Sequence, residues 1–464
     1  MRPNSNVVRS DMALFSDRFP FAPRAKDFSY GAVTPENLPW IMRRHILTGA
    51  MGTAYFNLTT GMFLVAFGNA IGVSVMEWGI LGAVSCFAIA MQLITAYASG
   101  RFGYRRVLWF IGETANRLLR TIAIIAAYLF VDHGFPAAAP HVLVGLMCAA
   151  SFASAGAAPP WYSWLADLIP EKVHGTFMGR RDVWLSFATV ALVIPASIGV
   201  DIAPDHAKIH ALGLVFALGM AVGMVDLFMH RRIPEPAPAC DAKGSFLEHL
   251  LAPLRDGAYR PWLVFTACWN FAVFLGGALA TIFFVEDLHI RDHLMGGALV
   301  LVAVPLAGIM LTGRMTGRLV DRLGVKRVMI GSHFLWTVLP IFWIVATPAT
   351  AMFWLTVSSI LGGAGSSAAV NASLKIQTRV SPAKYRAMYI AMAACVGNFA
   401  GGLATLMAGY FLEALKGRQW TVADMVFVPF HVIFIVSVLL RLAAWGLLFR
   451  IPSPQFDRPI EKDS

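Results

Sequence analysis

The chain has 464 residues, 58% of them hydrophobic and only 14% charged, with a mean hydropathy of +0.65, whereas a soluble domain carries roughly 25% charged residues. That composition excludes water as the main solvent of its surface, and the remaining charges stand in clusters between long apolar runs. The net charge of +11 does not mark a nucleic-acid binder, because the basic residues flank the apolar runs and form no separable patch.

Residues 1–44 read as a polar cytoplasmic tail in which Phe15, Phe19, Phe21 and Phe28 interleave with Arg18, Arg24 and Lys26. This pattern predicts a loosely ordered segment at the membrane surface. The tail has no apolar core of signal-peptide length, so the first span is expected to act as an uncleaved signal anchor. Windows free of Asp, Glu, Lys and Arg then run His45–Met76, Trp78–Gly100, His133–Ala166, Val183–Val200 and Ile209–Val225, with a charge-interrupted span at Val107–Phe130. Later windows are Pro261–Val285, His293–Gly313, Val328–Leu374, Ala387–Leu412 and Met425–Leu440. A helix needs about 20 residues to cross the hydrocarbon core, so Val328–Leu374 must hold two spans, with Thr347-Pro348-Ala349-Thr350 as their turn. The count is twelve.

Nearly all of the 37 lysines and arginines fall in alternate loops and the two tails, while the opposite loops hold only Lys208, Arg291, Lys416 and Arg418. By the positive-inside rule both termini are cytoplasmic, as an even number of spans requires. The expected organisation is a six-helix bundle at 45–230, a cytoplasmic linker at 231–260, a second bundle at 261–450 and a short tail at 451–464. Within the linker, Ser245 and Glu248 read as a capping box before Leu250, Leu251 and Leu254, an amphipathic helix lying on the membrane. The five cysteines form no C-x-x-C pair, so neither a disulfide framework nor a zinc site is indicated.

The loop GRFGYRR (Gly100–Arg106) recurs as DRLGVKR (Asp321–Arg327), and Pro170-Glu171-Lys172 is echoed by Pro382-Ala383-Lys384. Corresponding loops repeating across an even number of spans predict two parallel six-helix repeats. The run GRLVDRLGVKR (Gly317–Arg327) resembles the signature loop G-x-x-x-D-R-x-G-R-R of the major facilitator superfamily. The stretch WYSWLADLIPEKVHGTFMGRR (Trp161–Arg181) is similar to a bacterial branch of it without an assigned substrate. The resemblance implies an all-α membrane protein of twelve helices in the bacterial inner membrane. It also implies a conformational latch of Gly317, Asp321, Arg322, Gly324 and Arg327. Asp321 would meet the start of span 5 near Gly179–Asp182, where a carboxylate at a helix N-terminus is worth about 0.3–1 kcal/mol. Arg322 would pair with Asp182. In the first half Gly100 stands in the Asp position and Ala96 in that of the first Gly, which puts the matching span 2 to span 11 latch in doubt. Both basic loops also admit a plainer reading, as anchors that only fix topology.

Span 3 carries Glu113, Arg117 and Arg120 on one helical face. Each charge costs about 2.5–3.5 kcal/mol near the bilayer centre, so the three face protein or water. Glu113 and Arg117 neutralise each other locally, leaving Arg120 in need of a partner. Two readings stand: a buried polar clasp, or a site for substrate or proton coupling. Arg441 in span 12 and Asp226 at the end of span 6 read as structural. The resemblance implies a cavity lined by spans 1, 4, 7 and 10. The polar candidates there are Thr53, Asn57 and Thr60; Ser151 and Ser154; Thr266 and Asn270; and Ser359, Ser366 and Asn371. Each is equally a residue type that glues membrane helices together. Glu113 is the one carboxylate placed well inside a span, so coupling through a cavity carboxylate is not evident. Trp161 and Trp164 beside Tyr162 read as an aromatic belt.

The expected activity is secondary transport of a small solute by a monomer that needs no cofactor, with protons or ions as candidate coupling partners. The competing reading is a receptor or assembly factor on the same fold. No spaced nucleophile and base, metal cluster or P-loop supports an enzyme or an ATP-driven pump.

Overall fold

The computed structural model describes residues 33–34, 36–169, 171–236, 245–277, 279–288, 294–380, 386–422 and 425–451. Almost all of the N-terminal tail, the tail beyond 451 and the Pro382-Ala383-Lys384 loop therefore lie outside the described residues. Eleven helices among the described residues are long and apolar enough to cross a membrane.

In chain order, α1 is two segments, Leu38–Thr59 and Gly61–Ala70, broken at Thr60, whose backbone is extended. Helix α2 is Val75–Phe87 and Met91–Phe102 joined by a tight turn, and its start is capped reciprocally by Ser74 and Glu77. Then follow α3 (Arg105–Asp132), α4 (Ala139–Leu168), α5 (Glu171–Asp201) and α6 (Lys208–His230). A linker helix, Phe246–Arg255, starts where expected: the Ser245 hydroxyl accepts from the Glu248 amide at 3.2 Å.

The second half opens with α7 (Arg260–Gly277, continued by Ala280–Glu286). Helix α8 (Val304–Leu323) follows a π-helical turn at Ala298–Ala303. Its apolar part falls within the charge-free window His293–Gly313, and Arg314, Arg318 and Asp321 follow in its second half. Next come α9 (Val325–Ile344), α10 (Ala351–Val380), α11 (Arg386–Ala414) and α12 (Pro429–Leu447). Between α9 and α10 the Thr347 amide donates to the Thr350 hydroxyl at 3.1 Å, closing the turn expected there. A small antiparallel hairpin, β1 (Trp420–Val422) and β2 (Met425–Phe427), precedes α12.

The glycines of the repeated loops have a backbone reason. Gly103 and Gly324 sit at φ 73° and 83°, where a side chain would be strained. The basic residues beside them are not mere topology anchors in the first half. Arg105 is 2% exposed and donates to the Ser163 carbonyl, to Asp167 and to the Pro236 carbonyl. Arg106, 1% exposed, donates to the Arg231 carbonyl. Together they strap the start of α3 to the end of α4 and to the chain leaving α6. Lys326 does the equivalent in the second half, donating to the Ile451 carbonyl at 2.7 Å just past α12. Glu235 closes the first strap, and burial pushes its carboxyl above the usual range against the pull of Arg105 and Arg106.

Three apolar cores set the shape. The largest lies at the end of the bundle away from the chain termini and joins the two halves: Phe63, Phe67 and Phe216 share it with Phe283, Phe284 and Phe434. At the other end the halves have separate cores, one around Ile41, Trp109, Trp164 and Phe177, the other around Tyr259, Trp262, Val328 and Tyr389. Among the described residues the halves thus share a core at one end and have separate cores at the other. Helices α2 and α11 also run closely together, since a Cβ built on Gly79 would lie 3.2 Å from the Gly409 Cα. Across the divided end the linker helix bridges α2 and α11: Phe246 and His249 pack on Tyr97, while Leu250 packs on the second-half core. This contact stands near Gly100, where the first-half loop lacks its acid.

Candidate functional site

A polar cavity lies inside the first half. It has a volume of about 390 Å³ and is lined by α1, α3, α4, α5 and α6. Helix α3 contributes Glu113, Asn116 and Arg117, placed on its inward face by their spacing. Arg117 is the hub. Its guanidinium pairs with Glu113 one turn back, donates to Asp226 Oδ2 of α6 at 2.6 Å and to the Gly223 carbonyl at 2.9 Å, and lies 4.7 Å above the Tyr55 ring. Asn116 carries the network onward, donating to Glu113 Oε2 at 3.3 Å and accepting from Arg120 Nε at 2.9 Å. Arg120 is 6% exposed and sits over Phe56. His230 Nδ1 stands 2.8 Å from Asp226 Oδ1.

This arrangement corrects the expectation that Glu113 is the one carboxylate well inside a span. Asp226 is 2% exposed and reaches the same guanidinium. Two carboxylates and two arginines, linked through Asn116, sum to zero charge, so the cluster is neutral with no substrate present. Neutrality is what makes such burial tolerable in a low-dielectric interior. Sequence spacing reveals pairs within one helix but not Asp226, whose partner lies on another helix far along the chain.

Thr53 and Ser154 line this cavity, and Thr53 also borders an adjoining space of about 410 Å³ between α1, α5 and α8, where Asn57 and Asp182 lie. Thr60 donates to the Phe56 carbonyl at 2.6 Å. Ser151 is shared between helices, its hydroxyl 2.9 Å from that of Ser85 on α2, so its place is a helix contact. In the second half Thr266, Asn270 and Ser366 line a cavity of about 340 Å³ walled by Trp262, Trp269 and Trp336. Ser359 on α10 lies outside these three spaces. The side chains of Asn371, Gly317, Asp321 and Arg322 lie outside the described residues, so the expected pairing with Asp182 is not visible. Arg327 is exposed, and the Asp182 carboxylate is 62% exposed with Arg181 Nη1 at 3.8 Å.

The aromatic residues at the end of α4 do not form a belt. Trp164 is wholly buried and donates to the Pro234 carbonyl, Trp161 lines the first-half cavity, and Tyr162 alone of the three is exposed. Arg181, which the sequence offered no reason to single out, lies against Trp161 in the cavity wall.

Among the described residues no cluster of His, Cys, Asp and Glu has the form of a metal site. The sequence model of the Major Facilitator Superfamily matches residues 45–318 and 278–464. The chain belongs to the Major Facilitator Superfamily. It is thus a multi-pass membrane protein, and no curated protein matches it in sequence. Solved structures of the same fold include the nucleoside transporter NupG, with a TM-score of 0.63 at 12% identity, covering 89% of this chain and 98% of that one. The xylose transporter XylE from E. coli, in a partially occluded inward open conformation, gives 0.63 at 13% identity, covering 91% and 100%. A bacterial homologue of the human lysosomal transporter Spinster, inward-facing and unoccupied, gives 0.61 at 15%, covering 92% and 100%. At these identities the likeness concerns the superfamily fold alone.

Proposed function

We propose that this superfamily member is a secondary carrier that moves a small solute across the membrane by alternating access between its two halves. The observation that carries the reading is the distribution of apolar cores, common to both halves at one end and separate at the other. That is the asymmetry expected of one member of a pair of states in which the seal changes ends. By the charge bias of the loops, the divided end faces the cytoplasm. The similar fold of transporters for a nucleoside and for xylose supports a carrier over a receptor. In this reading Thr53, Asn57 and Ser154 of the first half and Thr266, Asn270 and Ser366 of the second face the solute path. The Glu113, Arg117 and Asp226 cluster holds that path in register.

The test is uptake into proteoliposomes, with and without a pH gradient, for solutes found by thermal shift. A second arm introduces cysteines at Met62 and Gly297, which approach each other across the sealed end, since a Cβ at Gly297 would lie 3.0 Å from Met62 Cε. Cross-linking this pair in a background lacking the native cysteines is expected to stop uptake, and reduction or cleavage of the link to restore it. Undiminished uptake through the linked protein would sink the alternating-access reading.

A further inference from the structure

Arg181 stands apart from the other buried arginines. Arg105, Arg117 and Arg441 each meet two or more acceptors. Arg181 is more open than these, its side chain 11% exposed against 3% for Arg105 and Arg117, and among the described residues it donates no hydrogen bond. Its Nε is buried without a partner, and its one ion pair among them is the 3.8 Å approach to the largely solvated Asp182. A guanidinium carries five donors in a rigid fork, and leaving buried donors unmade costs about 1–3 kcal/mol each. The Nε orphan is shared with Arg105, Arg106 and Arg441; what sets Arg181 apart is that its two Nη groups, on the cavity wall, donate to no acceptor among the described residues.

The placement looks built. The guanidinium lies 5.1 Å from the Trp161 ring, which fixes its plane through a cation–π contact. It also lies across α1 at Gly49, where a Cβ would stand 2.9 Å from Nη2. Glycine there makes the room. Both residues line the first-half cavity together with the hydroxyls of Thr53 and Ser154. Meanwhile Glu113, Asp226, Arg117 and Arg120 are linked to one another with formal charges that sum to zero, so among the described residues Arg181 is the cavity-lining arginine whose guanidinium is met only by a long, solvated contact with Asp182.

We infer that Arg181 anchors the carboxylate of a small organic anion, received in its planar fork, with Trp161 beside the anion and the hydroxyls of Thr53 and Ser154 toward its polar substituents. The inference names the class of solute for the carrier proposed above and rests on that reading. A cavity of about 390 Å³ suits a small solute.

The experiment titrates the purified full chain with benzoate, pyruvate and gluconate, each against its neutral amide, by thermal shift and tryptophan fluorescence. At least one carboxylate is expected to bind at least about tenfold more tightly than its amide, because the amide cannot meet the fork as an anion does. Arg181→Gln is expected to erase that preference while melting, without ligand, no lower than the native protein, since it removes a largely buried charge whose one acid neighbour among the described residues, Asp182, is mostly solvated. A residue with only a structural role would lower the melting temperature instead. Gly49→Ala, which pushes on the guanidinium without removing it, is expected to weaken carboxylate binding with the fold intact. Carboxylates that bind no better than amides, or a preference that survives Arg181→Gln, would overturn the inference, and so would the absence of binding by all three carboxylates. Uptake separates the two proposals. If neutral solutes are carried and Arg181→Gln has no effect, the carrier stands and the anion site falls. If Arg181-dependent carboxylate binding occurs but nothing crosses the bilayer, the anion site stands and the carrier falls.

Discussion

The two halves of this protein solve the same internal problem with different chemistry. In the first half α3 is fastened to α6 by charge, with Arg117 held between Glu113 and Asp226. At the corresponding place in the second half α12 supplies the arginine and no carboxylate meets it among the described residues. Arg441 donates to the Trp336 carbonyl at 2.7 Å and to the Val273 carbonyl at 3.4 Å. The Trp336 carbonyl is free to accept because the residue one turn on is Pro340, which has no amide hydrogen to offer it. A proline and an arginine thus replace an ion cluster. The difference teaches where exchangeable charge resides. Carboxylates and arginines line the first-half cavity, whereas the second is lined by tryptophans, neutral polar groups and His333, with no carboxylate or arginine among the described residues.

The comparison breaks most readily at Arg117. Replacing it with leucine leaves Glu113 and Asp226 without the guanidinium that bridges them, a loss of about 3–5 kcal/mol. The expected outcome is a large fall in melting temperature or failure to accumulate in the membrane. The double variant Arg117→Leu/Asp226→Leu is expected to recover most of that stability, because it leaves no uncompensated acid on α6. Uptake by the recovered protein then decides between clasp and coupling site: retained uptake means a clasp, and loss of uptake at restored stability means a working charge.

The straps offer the next contrast. Arg105→Met removes bonds to an acid and to two carbonyls, with an expected cost of about 1.5–3 kcal/mol, to be set against Lys326→Met, which removes among its contacts the bond to the Ile451 carbonyl. Equal losses in the two melting curves would show that the halves are fastened alike. Arg441→Leu is expected to cost about 1 kcal/mol, well below Arg117→Leu, since it strands backbone carbonyls and no acid. A loss as large as that of Arg117→Leu would erase the distinction between the halves.

Much of the architecture was legible before any coordinates. Span length is set by bilayer thickness, so runs such as Val183–Val200 announce themselves, and the turn at Thr347 and the cap at Ser245 follow from local chemistry. The repeated loops disclosed the two halves because glycine at Gly103 and Gly324 answers to backbone conformation alone. The site was less legible. Thr53, Asn57 and Ser154 were reached through helical spacing and the superfamily resemblance, and they do border cavities, whereas Ser151, of the same residue type on the same helix, is taken up by Ser85. Hydropathy cannot tell which side of a membrane helix meets a cavity and which meets another helix. Asp226 was read as structural without its partner, and Arg181 escaped, because their meaning lies in what a distant helix brings or fails to bring. One is completed by Arg117, and the other is left without an acceptor.

The smallest effect is the one whose sign is most informative. Glu235 has no counterpart strap acid in the second half among the described residues, and burial holds its carboxyl above the ordinary value of 4.5 despite Arg105 and Arg106. The folded chain therefore binds that proton more tightly than the unfolded chain does. Its contribution to stability is greatest below the unfolded value and declines as pH rises through the folded one. Glu235→Gln removes this titration, so the melting temperature of the variant, followed from pH 4 to pH 8, is expected to fall less with rising pH than that of the native protein. If the variant instead fell more steeply than the native protein as pH rose, the Arg105 and Arg106 pairings would outweigh burial. The first-half strap would then be held by charge, just as its cavity is, and the contrast with the carbonyl-bound second half would extend from the membrane interior to the loops.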